Sequence, residues 1–241
     1  MKSLSSDLLS AYAQGFYGYG TWSAPIWFIG MEEGGGQRCE EVGARLAAWD
    51  TRGRRELEDL PEFHAAYGEA RWHGEGARSQ RTWRQLIRML LLGRGEPDSE
   101  GAILEHQRTD FGRMTGKTCV SELLPLPSPS IGAWHYADWS DLEWLKTREA
   151  YQNFMLLERA CLLRDRIEEH RPPVVLFYGS SWHRYWGMIA RGGWSQAIQG
   201  RLMGLQRDGT AFYVTRHPAR ESDAYFREIG EFLRRRHGAS L

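Results

Sequence analysis

Four short apolar runs, each closed by a polar residue, glycine or proline, constrain this chain more than any other feature. They are PIWFIG at 25–30, TCVSELLPLP at 118–127, VVLFYG at 174–179 and AFYVTRHP at 211–218. Runs of this length, rich in β-branched and aromatic residues, read as buried strands. Helical patterns lie between them. Residues 38–50 place Val42, Leu46 and Trp49 on one stripe. RTWRQLIRMLLL at 81–92 carries Trp83, Leu86, Ile87, Leu90 and Leu91 at helical spacing. Residues 148–170 read as a long helix stopped by Pro172 and Pro173. A closing helix starts at a Ser222 cap and puts Arg234–Arg236 in its last turn, where the helix dipole favours cations. Strands alternating with helices predict an α/β architecture with a mainly parallel sheet.

The remaining segments are less regular. Residues 7–14 read as a short helix capped by Ser6 or Asp7, GRGEPDSEG at 93–101 as a loop, and Ser180 and Ser181 as the cap of a helix after the third strand. The stretches 37–80 and 128–147 read as insertions or loops, the second rich in aromatics (Trp134, Tyr136, Trp139, Trp144). A length of 241 residues fits one domain spanning 1–241. No apolar run is long enough for a membrane span, and the first twenty residues have no secretory-signal pattern. Cys39, Cys119 and Cys161 are isolated from one another, which argues against a disulfide framework or a zinc ribbon. A cytoplasmic protein is the expectation. Net charge is zero, unlike most nucleic-acid proteins. Yet 28 of the 31 basic residues are arginine, the side chain that forks onto phosphates.

In parallel α/β sheets functional groups gather at the carboxyl ends of the strands. Those ends carry Glu32 and Glu33 in GMEEGGG, Glu122 in SELLP, Gly179 with Ser180 and Ser181, and His217 before Pro218. GMEEGGG is not a phosphate-binding P-loop, because no GK[ST] follows, and neither GxSxG nor HExxH occurs.

The ordered set GMEEG, SELLP, YGSS and RHPA resembles the uracil-DNA glycosylase superfamily. Members of that family carry a GQDPY-, GMNPG- or GEAPG-type motif after the first strand, a uracil-reading Asn after a middle strand, and a late HPS loop. The resemblance implies a three-layer α/β/α fold around a four-stranded, mainly parallel sheet, and a monofunctional DNA glycosylase without cofactor or metal. Carried over by position, Gly30 matches the motif's first glycine and Met31 follows it. Glu32 takes the place of the residue that directs the attacking water, and Glu33 replaces proline. Glu122 stands where the Asn is expected, and His217 and Pro218 match the HP of the last motif, with Ala219 in place of serine. Glu32, Glu33 and His217 are thus the catalytic candidates. Gly30, Met31, Gly34, Gly35, Glu122 and Trp134 are the substrate-binding candidates. Ser180, Ser181, Arg216, Pro218 and Arg220 are the expected DNA contacts, with Arg71, Arg78, Arg81 and Arg84 as a second basic cluster.

The departures bear on the substrate. An ionised Glu122 only accepts hydrogen bonds, which suits the cytosine amine better than uracil O4. Gly34, Gly35 and Gly36 remove the wall that excludes 5-substituted pyrimidines in uracil-specific relatives, so Glu33 or Trp134 could meet a polar substituent. The expected activity is excision of a 5-substituted cytosine, such as glucosylated hydroxymethylcytosine in anti-phage defence, by an enzyme acting on DNA as a monomer. Alternatives are a repair glycosylase for uracil or other deaminated bases, a non-catalytic nucleotide- or nucleic-acid-binding module, a serine hydrolase using Ser180 or Ser181 near His217, and a divalent-metal site built from Glu32, Glu33 and His217.

Overall fold

A computed structural model describes residues 3–241, apart from the side chain of Ala239. In chain order the elements are α1 (Ser6–Gly15), β1 (Gly18–Gly20), β2 (Ile26–Glu32), α2 (Cys39–Thr51), β3 (Leu57–Glu58), α3 (Leu60–Ala66), α4 (Arg81–Gly93) and α5 (Glu100–Thr109). They continue with β4 (Thr118–Leu124), α6 (Tyr136–Trp139), α7 (Arg148–His170), β5 (Val174–Tyr178), α8 (His183–Ala190), β6 (Ser195–Ile198), β7 (Leu202–Arg207), β8 (Thr210–Thr215) and α9 (Asp223–His237).

The fold is α/β, with one mixed sheet of eight strands in the order β3-β1-β4-β2-β5-β8-β7-β6. The four expected strands are β4, β2, β5 and β8. They are neighbours and run parallel. A sheet of four was too small: β1 adds antiparallel to β4, β3 adds beyond it, and β7 and β6 extend the other edge antiparallel. These additions were illegible because β1 contains two glycines and β3 has two residues. β6 is largely exposed, so it lacks an apolar run.

The central strands are buried on both faces, as parallel strands are. Ile26, Trp27, Phe28 and Ile29 of β2 and Val174–Phe177 of β5 are wholly inaccessible. Each such large side chain contributes about 1.5–3 kcal/mol on burial. Helices α4 and α9 pack together, as do α7 and α8.

The details of the ends differ from expectation. Helix α1 is capped by Ser5, whose side chain accepts from the Leu8 N–H, one residue before the expected cap. The region 93–101 is a loop only in part, since Ser99 caps α5. Ser180 and Ser181 do not cap α8: they form a 3-10 turn with Trp182, and α8 starts without a side-chain cap. The stretch 37–80 holds α2, β3 and α3, and 128–147 holds α6 and a second 3-10 turn. Helix α7 ends in a left-handed Arg171 just before the two prolines.

Candidate functional site

The carboxyl ends of β2, β4, β5 and β8 open into a cleft of about 960 Å³. Its wall includes Met31, Glu32, Glu33, Gly34, Gly35, Glu122, Tyr178, Ser180, Ser181, Arg216, His217 and Arg220. Most of the sequence-derived candidates therefore meet in one place. They do so because each follows a strand of the parallel core, and the register aligns the strand ends.

Glu32 ends β2, with 12% of its side chain exposed. Arg148 Nη1 donates to both of its oxygens, at 2.9 and 2.6 Å. The same guanidinium donates through Nη2 to Ser128 Oγ and to the carbonyls of Ser130 and Ala133. Burial raises the Glu32 pKa from its ordinary value, and Arg148 opposes the rise. A carboxylate has about four lone-pair sites, so two remain for a water.

Glu33 is more fully engaged. The Arg45 fork donates to its two oxygens at 2.6 and 3.0 Å, and the Tyr19 hydroxyl reaches both at 3.0 and 3.1 Å. Arg45 also donates to the Tyr67 hydroxyl and lies over that ring. This arrangement makes Glu33 the anchor of the loop after β2.

Glu122 has a different environment. Its carboxyl accepts a 2.5 Å hydrogen bond on Oε1 from the Tyr178 hydroxyl. Its Oε2 is buried with no partner among the described residues. Burial first, then the nearby Glu33 and Glu32 charges, drive its pKa well above the ordinary carboxylate range, against the Tyr178 hydrogen bond. This environment disfavours the ionised, acceptor-only form expected of Glu122. Behind it, the buried Arg159 donates to the carbonyls of Glu122 and Leu123, fixing the end of β4.

Gly30 pairs with Glu122 in the sheet. A Cβ at Gly30 would stand 2.3 Å from both Glu122 Oε2 and Tyr178 Cζ. The glycine is buried and makes room for this pair rather than touching a ligand itself. Of the next glycines, only Gly34 has open space around a Cβ. Gly36, at φ +67°, would put a Cβ 2.4 Å from the Pro127 carbonyl oxygen, so backbone geometry requires it, and its N–H donates to Glu41 at 2.7 Å. The cleared wall is thus one residue wide.

His217 accepts the Ala219 N–H on Nδ1 at 3.1 Å, which leaves the proton on Nε2. Burial, then Arg220 and Arg81, lower its pKa, so the ring is a neutral N–H donor. It meets the Tyr178 ring edge-on, with centroids 6.1 Å apart.

Several candidates fall elsewhere. Trp134 is not in the cleft wall: it stacks on Tyr151, donates to the Leu145 carbonyl and lies beneath Arg148. Pro218 is buried in a 3-10 turn. Arg84 is paired with Asp223 and Glu100, and Arg71 with Glu69. Arg216 is paired with Glu221, whereas Arg220 has no side-chain partner among the described residues. Neither Ser180 nor Ser181 hydrogen-bonds His217, which removes the geometric basis of a serine hydrolase. Among the described residues no three potential metal ligands converge, so Glu32, Glu33 and His217 do not form a ligand set.

Sequence reasoning missed Tyr178, Tyr19, Arg45, Arg148 and Arg159. It also missed the part of the cleft wall formed by Tyr67, Trp72, Gln80 and Trp83. That wall is aromatic and polar together: Trp72 and Trp83 meet edge-to-face, and Arg71 lies over Trp72 at 4.9 Å. No protein-family model matches the chain, and no curated protein matches it either.

Proposed function

We propose that this chain is a monofunctional DNA glycosylase that takes a modified pyrimidine out of the stack and hydrolyses its N-glycosidic bond. The observation that supports the reading is the meeting of Glu32, Glu122 and His217 in one cleft at the ends of four adjacent parallel strands. Bond cleavage leaves positive charge on the sugar and negative charge on the base. Glu32 faces the sugar and orients the attacking water through its free lone pairs. The neutral His217 donates its Nε2 proton to the base oxygen, as a preorganised donor at a developing oxyanion. Glu122 meets the edge of the extruded base. The parallel core β4-β2-β5-β8 is the part of the sheet that likeness to the uracil-DNA glycosylase superfamily calls for, so membership belongs to the same proposal.

The substrate favoured is a 5-substituted cytosine, with glucosylated hydroxymethylcytosine as the leading case and defence against phage DNA as the setting. Space supports this more than Glu122 does. A cleft of about 960 Å³ lies at the upper end of sites that take a drug-sized ligand, well beyond one pyrimidine. Gly34 is open, and the Tyr67, Trp72, Gln80 and Trp83 wall offers flat apolar faces beside hydrogen-bonding groups, a surface suited to a sugar ring. A repair role on uracil is the second reading, because a protonated Glu122 can also pair with the uracil edge.

The deciding experiment incubates the protein with duplexes carrying uracil, hypoxanthine, 5-hydroxymethylcytosine or its glucosylated form, then cleaves abasic sites. Cleavage at the glucosylated base is expected. Cleavage at uracil alone moves the assignment to repair, and binding without cleavage of any duplex moves it to a non-catalytic module.

A further inference from the structure

A single exposed apolar side chain is ordinary on a protein surface. Among the described residues Met114, Ile131, Phe154, Leu157 and Met188 are large, apolar and exposed. Ile131 differs from the rest in place and in support. Of these residues it alone lines the cleft, and at 65% it is the most exposed.

Its support is a turn held from within. Ile131 stands at the corner of a β-turn, in which the Ala133 N–H donates to the Ser130 carbonyl at 3.1 Å. The largely buried Arg148 grips that turn: its Nη2 donates to the carbonyls of Ser130 and Ala133 at 2.9 and 2.8 Å, and to Ser128 Oγ. Ser128 in turn donates its N–H to the Glu33 carbonyl at 3.0 Å and its hydroxyl to the Ala133 carbonyl at 2.8 Å. The segment is therefore a fixed corner and not a loose loop tip. Through Nη1 the same guanidinium holds both oxygens of Glu32, so one side chain sets the place of Ile131 relative to that carboxylate.

The surroundings admit a polyanion. No Asp or Glu occurs between Leu123 and Ala137. The two turn carbonyls, which would repel a phosphate, are taken up by Arg148, whereas the N–H groups of Ile131 and Gly132 have no backbone partner among the described residues. An extruded nucleotide leaves a gap in the stack, and proteins that open a duplex commonly fill such a gap with an apolar wedge, isoleucine among them.

We propose that Ile131 is that wedge: it enters the base stack when the target nucleotide leaves it, and holds the duplex open while the base occupies the cleft. The proposal rests on the glycosylase reading. Ile131 is a positioning residue, since it touches the flanking bases and not the bond that breaks.

Two duplexes test this, both carrying glucosylated 5-hydroxymethylcytosine, one opposite guanine and one opposite a stable abasic analogue. Ile131→Ala should slow single-turnover excision from the paired duplex about tenfold or more, and from the unpaired one about threefold or less, because there no base pair has to be kept broken. Ile131→Leu keeps the apolar volume and should restore the paired rate to within about threefold of wild type. The urea unfolding midpoint should not move, because the side chain is exposed. Unchanged excision in Ile131→Ala, or equal loss from the two duplexes, overturns the wedge and leaves the glycosylase reading standing. If the wild-type protein cleaves neither duplex, the glycosylase reading fails for this base, and fluorescence anisotropy then decides the wedge. Tighter binding to a duplex holding the abasic analogue than to an intact one, lost in Ile131→Ala, supports it. Equal binding of the two duplexes by the wild-type protein overturns it.

Discussion

Arg148 and Glu32 lie 116 residues apart in sequence, and one guanidinium nitrogen holds both oxygens of the carboxylate. The other nitrogen gathers Ser128, Ser130 and Ala133. The orientation of Glu32 is therefore coupled to the loop that closes one side of the cleft. Glu32→Gln should lower excision about a hundredfold or more, because the neutral amide neither polarises water nor faces a cation as well. Arg148→Lys keeps the charge but not the fork. It should slow excision about tenfold through misplacement of Glu32, since small errors in position are costly in rate. Single-turnover rates on the glucosylated duplex check both; a lysine variant at full rate separates Arg148 from the site.

Glu33 should answer differently. Its oxygens are occupied by Arg45 and Tyr19, and the Arg45 side chain is only 4% exposed. Glu33→Ala leaves a buried cation uncompensated, at a cost of about 3–5 kcal/mol. A loss of unfolding free energy of that size is expected in urea titration. A variant of unchanged stability that has lost excision would return Glu33 to the catalytic list.

The contrast between the two glutamates shows what the sequence could convey. Glu32, Glu122 and His217 were legible because each follows an apolar run, and run ends become strand ends. Tyr178 was hidden because, as the last residue of VVLFY, it reads as one more buried aromatic. Arg45, Arg148 and Arg159 were hidden among 28 arginines with no local feature to distinguish them. Their roles arise from contacts between segments far apart in the chain. Trp134 erred in the opposite sense: an aromatic in a loop looks available, but the fold uses it as packing beneath Arg148.

Acid should destabilise the fold above the usual carboxylate range. Burial drives the His64 pKa well below its ordinary value and lowers that of His73 to about 4. Both rings are neutral in the folded state, and His73 Nε2 meets His64 Nδ1 at 3.2 Å. The unfolded chain binds protons at these sites below about pH 6.5, so their contribution is present above that pH and is lost as pH falls toward 4. Glu122 has the opposite sign. Its raised folded value makes its contribution greatest at low pH and smaller as pH rises from about 4.3 toward that value. Unfolding midpoints across pH 4–8 should fall on the acid side from about 6.5 downward, and His73→Gln should flatten the slope. A midpoint flat from pH 7 to 5 contradicts the neutral pair.

The wall of Tyr67, Trp72, Gln80 and Trp83 should govern substituent size. Trp72 is partly exposed in the cleft and is braced by Arg71 and Trp83. Trp72→Ala removes a flat apolar face on which the sugar substituent would pack. It should lower excision of glucosylated 5-hydroxymethylcytosine by about tenfold more than excision of 5-hydroxymethylcytosine itself. Equal loss on the two duplexes assigns Trp72 to general architecture instead of the substituent.

DNA affinity should depend on few arginines, because the chain has no net charge and most cleft-side guanidinium groups are already paired. Arg220 is the exception at the His217 loop: it is exposed, lines the cleft and has no side-chain partner among the described residues. A cation that meets a phosphate releases about 0.9 counterion per contact, and that release appears in the slope of log K against log salt. Arg220→Ala should weaken binding to all duplexes alike and reduce the slope by about one. Arg84, held by Asp223 and Glu100, serves as the comparison. Its replacement by alanine should leave the slope unchanged and lower stability instead, by freeing the two carboxylates beside the buried Arg88. Fluorescence anisotropy at a series of salt concentrations distinguishes the two. An unchanged slope in Arg220→Ala would move the DNA path away from the His217 loop, toward the exposed Arg78 and Arg81, which have no ion-pair partner among the described residues.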